Sequence, residues 1–368
     1  MQPNLAWQRY VQYWILGLVA TALVLGFCLL VDSSNPGHLA FNIPTHRLAS
    51  YRLVRVGSAA LVGAALAASG VLLQALLRNP LADPYVLGIS TGSSVGVLIW
   101  VISFGKLLAV ADAAAMPAGV GAILRVIIEN GESIPALVGA LLTCAMVFWI
   151  ARMNSPGASR GGGGSGLDPL TLLLVGVVVS SFNGALVILL NSLKPQGFNA
   201  DITVYLIGFI NDRASNTQIL VGLVIFLGGW AVALASAGAM NVASLSDTEA
   251  TSLGLRLSRL RTLLFIVASI MTAAAIALAR AIGFVGLICP HVCRLLFGPD
   301  HRQLIVTAPF CGAIFLMLAD ALVQISKPWI PYSLPVGVVT ALCGAPFFLV
   351  LLRHYNRQRS TGGGEGEL

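Results

Sequence analysis

Cys289-Pro290-His291-Val292-Cys293 places two thiols and an imidazole within five residues. On a helix the two cysteines fall four apart and share a face, while His291 points away from it. Two thiols alone make a poor metal site. The reading is therefore structural, a helix start after Pro290, with a metal or haem ligand as the alternative. Asp320 stands in an apolar run, where a carboxylate is costly. It serves there either as a proton relay or as a hydrogen-bonded structural group. Arg52 and Arg55 precede another apolar run. They suit snorkelling to a membrane interface or docking of an acidic partner, since a guanidinium pairs bidentately with carboxylates. Ser246 and Glu249 have the spacing of a capping box, Asp247 and Glu249 suit the positive end of a helix dipole, and Gly254 is a plausible stop. That stretch reads as a short polar helix, or as a plain connecting turn. Gly105-Lys106 is followed by Leu107 and lacks the glycine of a phosphate-cradling loop. Neither an HExxH pattern nor a Ser/His/Asp arrangement is present, so the chain does not read as an enzyme.

The elements that must position these residues are membrane spans. The chain of 368 residues is 57% hydrophobic and 10% charged, with a mean hydropathy of +0.89. A soluble domain carries about 25% charged residues. Apolar runs of roughly 20 residues cross a hydrocarbon core of about 30 Å, and the chain holds many. The first, Trp14 to Val31, is too long for a signal peptide and lacks a clear cleavage site. The net charge of +7 reads as topology, because no basic patch is interleaved with base-stacking aromatics, and nucleic acid is excluded as a partner. All six cysteines fall in apolar stretches and read as small buried hydrophobes.

The expected fold is all-α, a single polytopic domain over 1–368 with about ten spans, near 14–31, 56–77, 85–103, 135–151, 172–190, 218–237, 262–280, 282–297, 304–322 and 334–352. With both termini inside, the inner segments hold twelve arginines against nine arginines and lysines outside, which favours cytoplasmic termini. The segment 104–133, with Asp112, Pro117 and Arg125, reads as an external insertion bearing a short amphipathic helix. The glycine-rich loop 155–169 and the tail 360–368 read as flexible linkers without chemistry. Glycines within the spans (Gly63, Gly70, Gly88, Gly92, Gly283, Gly286) allow close helix packing. Two runs join spans: Arg78-Asn79-Pro80-Leu81-Ala82-Asp83-Pro84 closes one apolar stretch, and Gly283 to His291 folds one straight into the next.

These pieces resemble the permease subunits of ABC importers for iron–siderophore complexes, haem and cobalamin. The matching residues are Arg52-Leu53-Val54-Arg55, Gly63-Ala64-Ala65-Leu66, Gln74, Asn79 to Pro84, Leu87-Gly88-Ile89-Ser90, Ala250 with Leu253-Gly254, Gly283 to His291, Gly298 to Arg302, Ala319-Asp320, Leu334 to Gly337 and Gly344 to Phe347. They run in family order over roughly residues 45–352. The resemblance implies a type II importer permease of ten spans in the cell inner membrane, a homodimer around a central pathway amid membrane lipid. It also implies two ATPase subunits that bind ATP and Mg, an external substrate-binding protein, and no cofactor or metal on this chain. By the same resemblance Arg52 and Arg55 dock the binding protein, and Ser246, Glu249, Ala250, Leu253 and Gly254 form the helix that couples to the ATPase. Val54 departs from the family's proline, Ser333 from its acidic residue and Gln324 from a third docking arginine, for which Lys327 is a substitute. The cargo expected is a ferric siderophore, with cobalamin or haem as alternatives. An ion-coupled secondary transporter is the rival from another class; it would need a carboxylate relay at the midplane and broken helices in paired repeats.

Overall fold

A computed structural model describes residues 3–32, 40–41, 46–110, 132–154, 167–193, 207–210, 214–327, 329 and 334–362. The helices among them are α1 (Pro3–Leu30), α2 (His46–Leu77), α3 (Ile89–Val110), α4 (Ser133–Asn154), α5 (Pro169–Ser192), α6 (Asn216–Ala243), α7 (Asp247–Ser252), α8 (Leu257–Ala279), α9 (Val285–Phe297), α10 (His301–Ser326) and α11 (Val336–Gly362). A 3-10 turn covers Pro84–Leu87, and the two-residue strands β1 (Val31–Asp32) and β2 (Ala40–Phe41) pair antiparallel. Seven of the described helices are long and apolar enough to cross a membrane, and three shorter apolar helices accompany them, Ile89–Ser103, Val285–Phe297 and Val336–Val350. Each of the ten expected stretches falls on one of these. The expected insertion lies outside the described residues from 111 to 131, as do residues 155–166 of the glycine-rich loop and 363–368 of the tail. Ser360, expected in the flexible tail, instead lies within α11.

The ends of the elements follow from local chemistry. Asp168 caps α5 by accepting from Thr171 N at 2.8 Å, with Pro169 in the first turn, where its missing N–H is not needed. Ser215 and Gln218 form a reciprocal capping box on α6. Arg78 stops α2 in a left-handed conformation, φ 47°. Arg280 (φ 58°) and Phe284 (φ 69°) are also left-handed non-glycine residues, at a cost of about 1–3 kcal/mol each. They make the elbow through which α8 turns into α9.

The core sits on α2, which is wrapped by α8, α9 and α10; 83% of its apolar window is buried. In lipid, helices adhere by close packing more than by exclusion of water. A Cβ on Gly63 would collide with the Gly312 carbonyl, and one on Gly70 with that of Gly286, so backbones touch at both crossings. Pro290, Pro309 and Pro346 lie inside α9, α10 and α11, and the first two complete the arrangement. Pro309 in α10 cannot donate to the carbonyl of Ile305, and Pro290 in α9 cannot donate to that of Gly286. Each freed oxygen takes a donor from a neighbouring helix. Trp230 Nε1 donates to Ile305 O at 2.7 Å, and Gln74 Nε2 donates to Gly286 O at 3.2 Å. Pro290 therefore lies inside α9, five residues past its start, and does not open the helix as expected.

Candidate functional site

The two outer arginines part company. The sequence places both ahead of a span; the structure places both within α2. Arg52 is half-buried and donates to the carbonyl of Leu29 at 3.2 Å. Arg55 turns inward. Its Nε lies 3.0 Å from each oxygen of Asp320 and its Nη2 lies 2.7 Å from Oδ1. The two side chains are 8% and 3% exposed, and the Phe209 ring lies 5.9 Å from the guanidinium carbon. A guanidinium held this way has no face to offer an external carboxylate. Of the two roles the sequence allows, the geometry fits the hydrogen-bonded one, since Asp320 is buried and taken up by Arg55. Lys327 caps the C-terminal end of α10, and Ser333 lies outside the described residues.

Near the opposite end of α2, the Asn79–Pro84 run is stitched to the elbow before α9. Asp83 accepts from Tyr85 N at 3.0 Å and from Phe284 N at 3.2 Å. Burial pushes its carboxyl above the usual range, and the two amides pull it part of the way back. Gln74 accepts from Arg294 Nη2 at 3.0 Å while it holds the Gly286 carbonyl. A concavity of about 490 Å³ opens beside this junction, lined by Tyr85, Ser90, Phe284, Gly337 and Leu342 among others. Cys289 and Cys293 are buried with free thiols. His291 meets the Phe347 ring edge-on, centroids 5.9 Å apart. Among the described residues no group of three or more His, Cys, Asp or Glu side chains is placed to hold a metal ion.

At the end where α6 turns back into α8 lies α7. Its start is the capping box read from the sequence: Glu249 N donates to Ser246 Oγ, and Ser246 N donates to Glu249 Oε2 at 3.0 Å. Its end is a Schellman motif. Gly254 N donates to Thr251 O, Leu255 N donates to Ala250 O, and Gly254 adopts φ 82°. The hydrogen bonds from Ser246 hold the Glu249 carboxyl below its ordinary value. Asp247 anchors the element. Arg78 Nη1 approaches it at 2.6 Å and Arg261 Nη2 at 2.8 Å, and Arg78 Nε also donates to Ala243 O at 2.7 Å. Partial burial alone would raise the Asp247 carboxyl, but Arg261 and then Arg78 bring it below the usual range.

Ala250 sits differently from the other residues of α7. It is fully buried against its own bundle. The reason is geometric: a helix of six residues has one inner face, and its small residue permits the close seat. All other residues from Ser244 to Gly254 are exposed, Ser246, Glu249, Leu253 and Gly254 among them, with Leu253 66% and Leu245 43% exposed. The Arg78–Asp247–Arg261 clamp is absent from the sequence reading. Its only local signal is a basic residue directly before Asn79-Pro80.

The family model described as the FecCD transport family matches residues 16–354. The cobalamin import system permease of Halobacterium salinarum is 36% identical over 323 residues, 86% of this chain and 76% of that protein. The hemin transport system permease of Yersinia pestis is 30% identical over 94% of this chain and 99% of its own length. A solved structure of a metal-chelate type ABC transporter in an inward-facing conformation matches with a TM-score of 0.73 at 26% identity, covering 94% of this chain and 99% of that one.

Proposed function

The chain belongs to the FecCD transport family, and from that premise we propose that it is the permease of an ATP-driven importer whose cargo is a ferric siderophore. Two copies form a homodimer in the inner membrane, both termini cytoplasmic, with an ATPase below and a binding protein outside. The observation that carries this reading is α7. A short helix lying outside the bundle, with Leu245 and Leu253 exposed and a carboxylate clamped by Arg78, just past α2, and by Arg261 of α8, suits a docking element that passes motion to the spans. The ATPase meets Ser246, Glu249, Leu253 and Gly254, while Ala250 serves as the inner seat. The exposed Leu342 and Leu349 of α11 offer a face to the second copy beside the concavity at Phe284, which then forms half of the pathway. Arg52 docks the binding protein, and Arg55 supports it from within.

A ferric siderophore is the cargo named because relatives of the chain serve iron chelates, for example the ferric citrate and ferric hydroxamate import permeases of Bacillus subtilis. The ion-coupled rival loses its best candidate group, since Asp320 is already neutralised by Arg55. The test is uptake of ferric siderophore into proteoliposomes holding the permease, its ATPase and its binding protein. Uptake should require ATP and stop with a hydrolysis-dead ATPase. Uptake driven by an ion gradient without ATP would sink the reading.

A further inference from the structure

Arg261 does more than clamp Asp247. Its Nη1 also reaches Leu167 O at 3.5 Å, so the end of the bundle that carries α7 also carries the chain leading into α5. Between the end of α4 and the start of α8, with Leu167 in its wall, lies a cleft of about 400 Å³. Two guanidinium groups line it, Arg152 in the last turn of α4 and Arg259 in the first turn of α8. Both are exposed. Among the described residues neither takes part in an ion pair or a side-chain hydrogen bond. The bordering chain leaves the cleft cationic. Asp168 caps α5 and accepts from Thr171 N and Oγ1, and residues 155–166 hold Arg160 and no acid.

The lining changes character along α8. Arg259, Thr262, Leu263 and Ile266 all line the cleft and follow one another at helical spacing on one face, so a charge and a hydroxyl give way to apolar side chains. Ile266 lies nine residues past Leu257, about 14 Å along the axis. Leu263 and Ile266 are exposed, within a helix apolar enough to cross a membrane. On α4, Trp149 stands three residues before Arg152 and is 62% exposed, which suits an indole at headgroup level. A soluble subunit seated on the end of the bundle meets the arginines but not Ile266. A phospholipid meets both.

We propose that this cleft is a binding site for one anionic phospholipid, its phosphate between Arg152 and Arg259 and an acyl chain along Leu263 and Ile266. Guanidinium groups hold phosphate through charge-assisted hydrogen bonds, and the Ser258 and Thr262 hydroxyls, which also line the cleft, supply further donors. Basic pockets between spans suit anionic headgroups for this reason. A zwitterionic phospholipid brings its ammonium against the same two cations. The orientation proposed for α7 puts the cleft in the cytoplasmic leaflet; binding in detergent does not depend on that orientation.

The test is native mass spectrometry of the detergent-purified protein with phosphatidylglycerol and phosphatidylethanolamine of matched acyl chains supplied in equal amounts. The wild type should retain phosphatidylglycerol in preference, by about tenfold, the size expected of one charge contact at a protein surface. Arg152→Gln with Arg259→Gln should abolish that preference. Arg256→Gln, which removes an exposed charge beside the same helix start but outside the cleft, should keep it. Equal retention by the wild type, an unchanged preference in the double variant, or an equal loss in Arg256→Gln would each overturn the proposal. Displacement of phosphatidylglycerol by an equal concentration of glycerol phosphate would show a site for the anion alone, and displacement by the purified ATPase would assign the arginines to that subunit; either result overturns it. All three substitutions alter exposed side chains, so a lost preference reports on the cleft and not on folding.

Discussion

Replacing Asp320 by leucine should unsettle the protein far more than replacing Asp320 and Arg55 together. The pair is bidentate, with N···O separations of 2.7 and 3.0 Å, and nearly sealed from solvent. Removing one partner strands a buried charge, at a cost of about 3–5 kcal/mol. Removing both removes the need for compensation. Arg55→Leu with Asp320→Leu should therefore fall within about 1 kcal/mol of the wild type, or exceed it in stability. The coupling energy of the double-mutant cycle should then be several kcal/mol, above the usual range for contacting residues of about 0.5–3 kcal/mol. Melting temperature in detergent, read from monodisperse protein, gives all four corners of the cycle. Capture of the binding protein by the same four proteins separates support from docking. If Arg55 acts by support alone, the double variant captures as well as the wild type. A double variant that melts below both single variants would refute the pairing argument. One that melts normally but fails to capture would return Arg55 to the docking surface.

Trp230→Phe should cost about 1–3 kcal/mol in stability, because the Ile305 carbonyl loses its donor; adding Pro309→Ala, which restores a backbone N–H, should recover most of it, and absence of recovery would contradict this account. Ala250→Trp should overpack the seat of α7 by about 1–3 kcal/mol and speed amide exchange across 246–254, whereas Leu253→Asp should leave exchange unchanged and weaken ATPase capture alone. Unchanged exchange in Ala250→Trp would show that the seat is not packed. The Asp247 carboxyl sits below its unfolded value of 3.8, so its contribution is complete above that value and is lost as pH falls through the folded one. Protection of α7 should thus hold from neutral pH down to about 5 and fail only below about 4; loss near pH 6 would point to a different group.

What the sequence disclosed well was local. The capping box needs Ser246 and Glu249 three apart, and Gly254 needs only its own freedom to turn left-handed, so both ends of α7 are written in adjacent letters. The apolar stretches were equally plain, each now occupied by a helix. Orientation was not legible. Whether Ala250 faces a partner or its own bundle depends on Arg78 and Arg261, which arrive from two other helices. Arg55 and Asp320 lie 265 positions apart, and nothing in either neighbourhood names the other. Pro290 misled for a related reason: a proline early in an apolar run suggests a helix start, and only Gln74, on another helix, reveals that the freed carbonyl has been provided for.

The carbonyls freed by Pro290 and Pro309 have a mechanical consequence. Separating α9 from α2, or α10 from α6, would leave a carbonyl oxygen bare in hydrocarbon, a penalty of several kcal/mol each time. The glycine crossings at Gly63–Gly312 and Gly70–Gly286 bar sliding of α2 along the same neighbours. These four helices therefore travel as one stiff chassis. Any cycle of opening and closing is carried by its bearings: the Arg280–Phe284 elbow, the Arg78 turn, and the lightly held α11. Staples placed across the chassis would leave the cycle running, whereas a staple across the elbow would jam it.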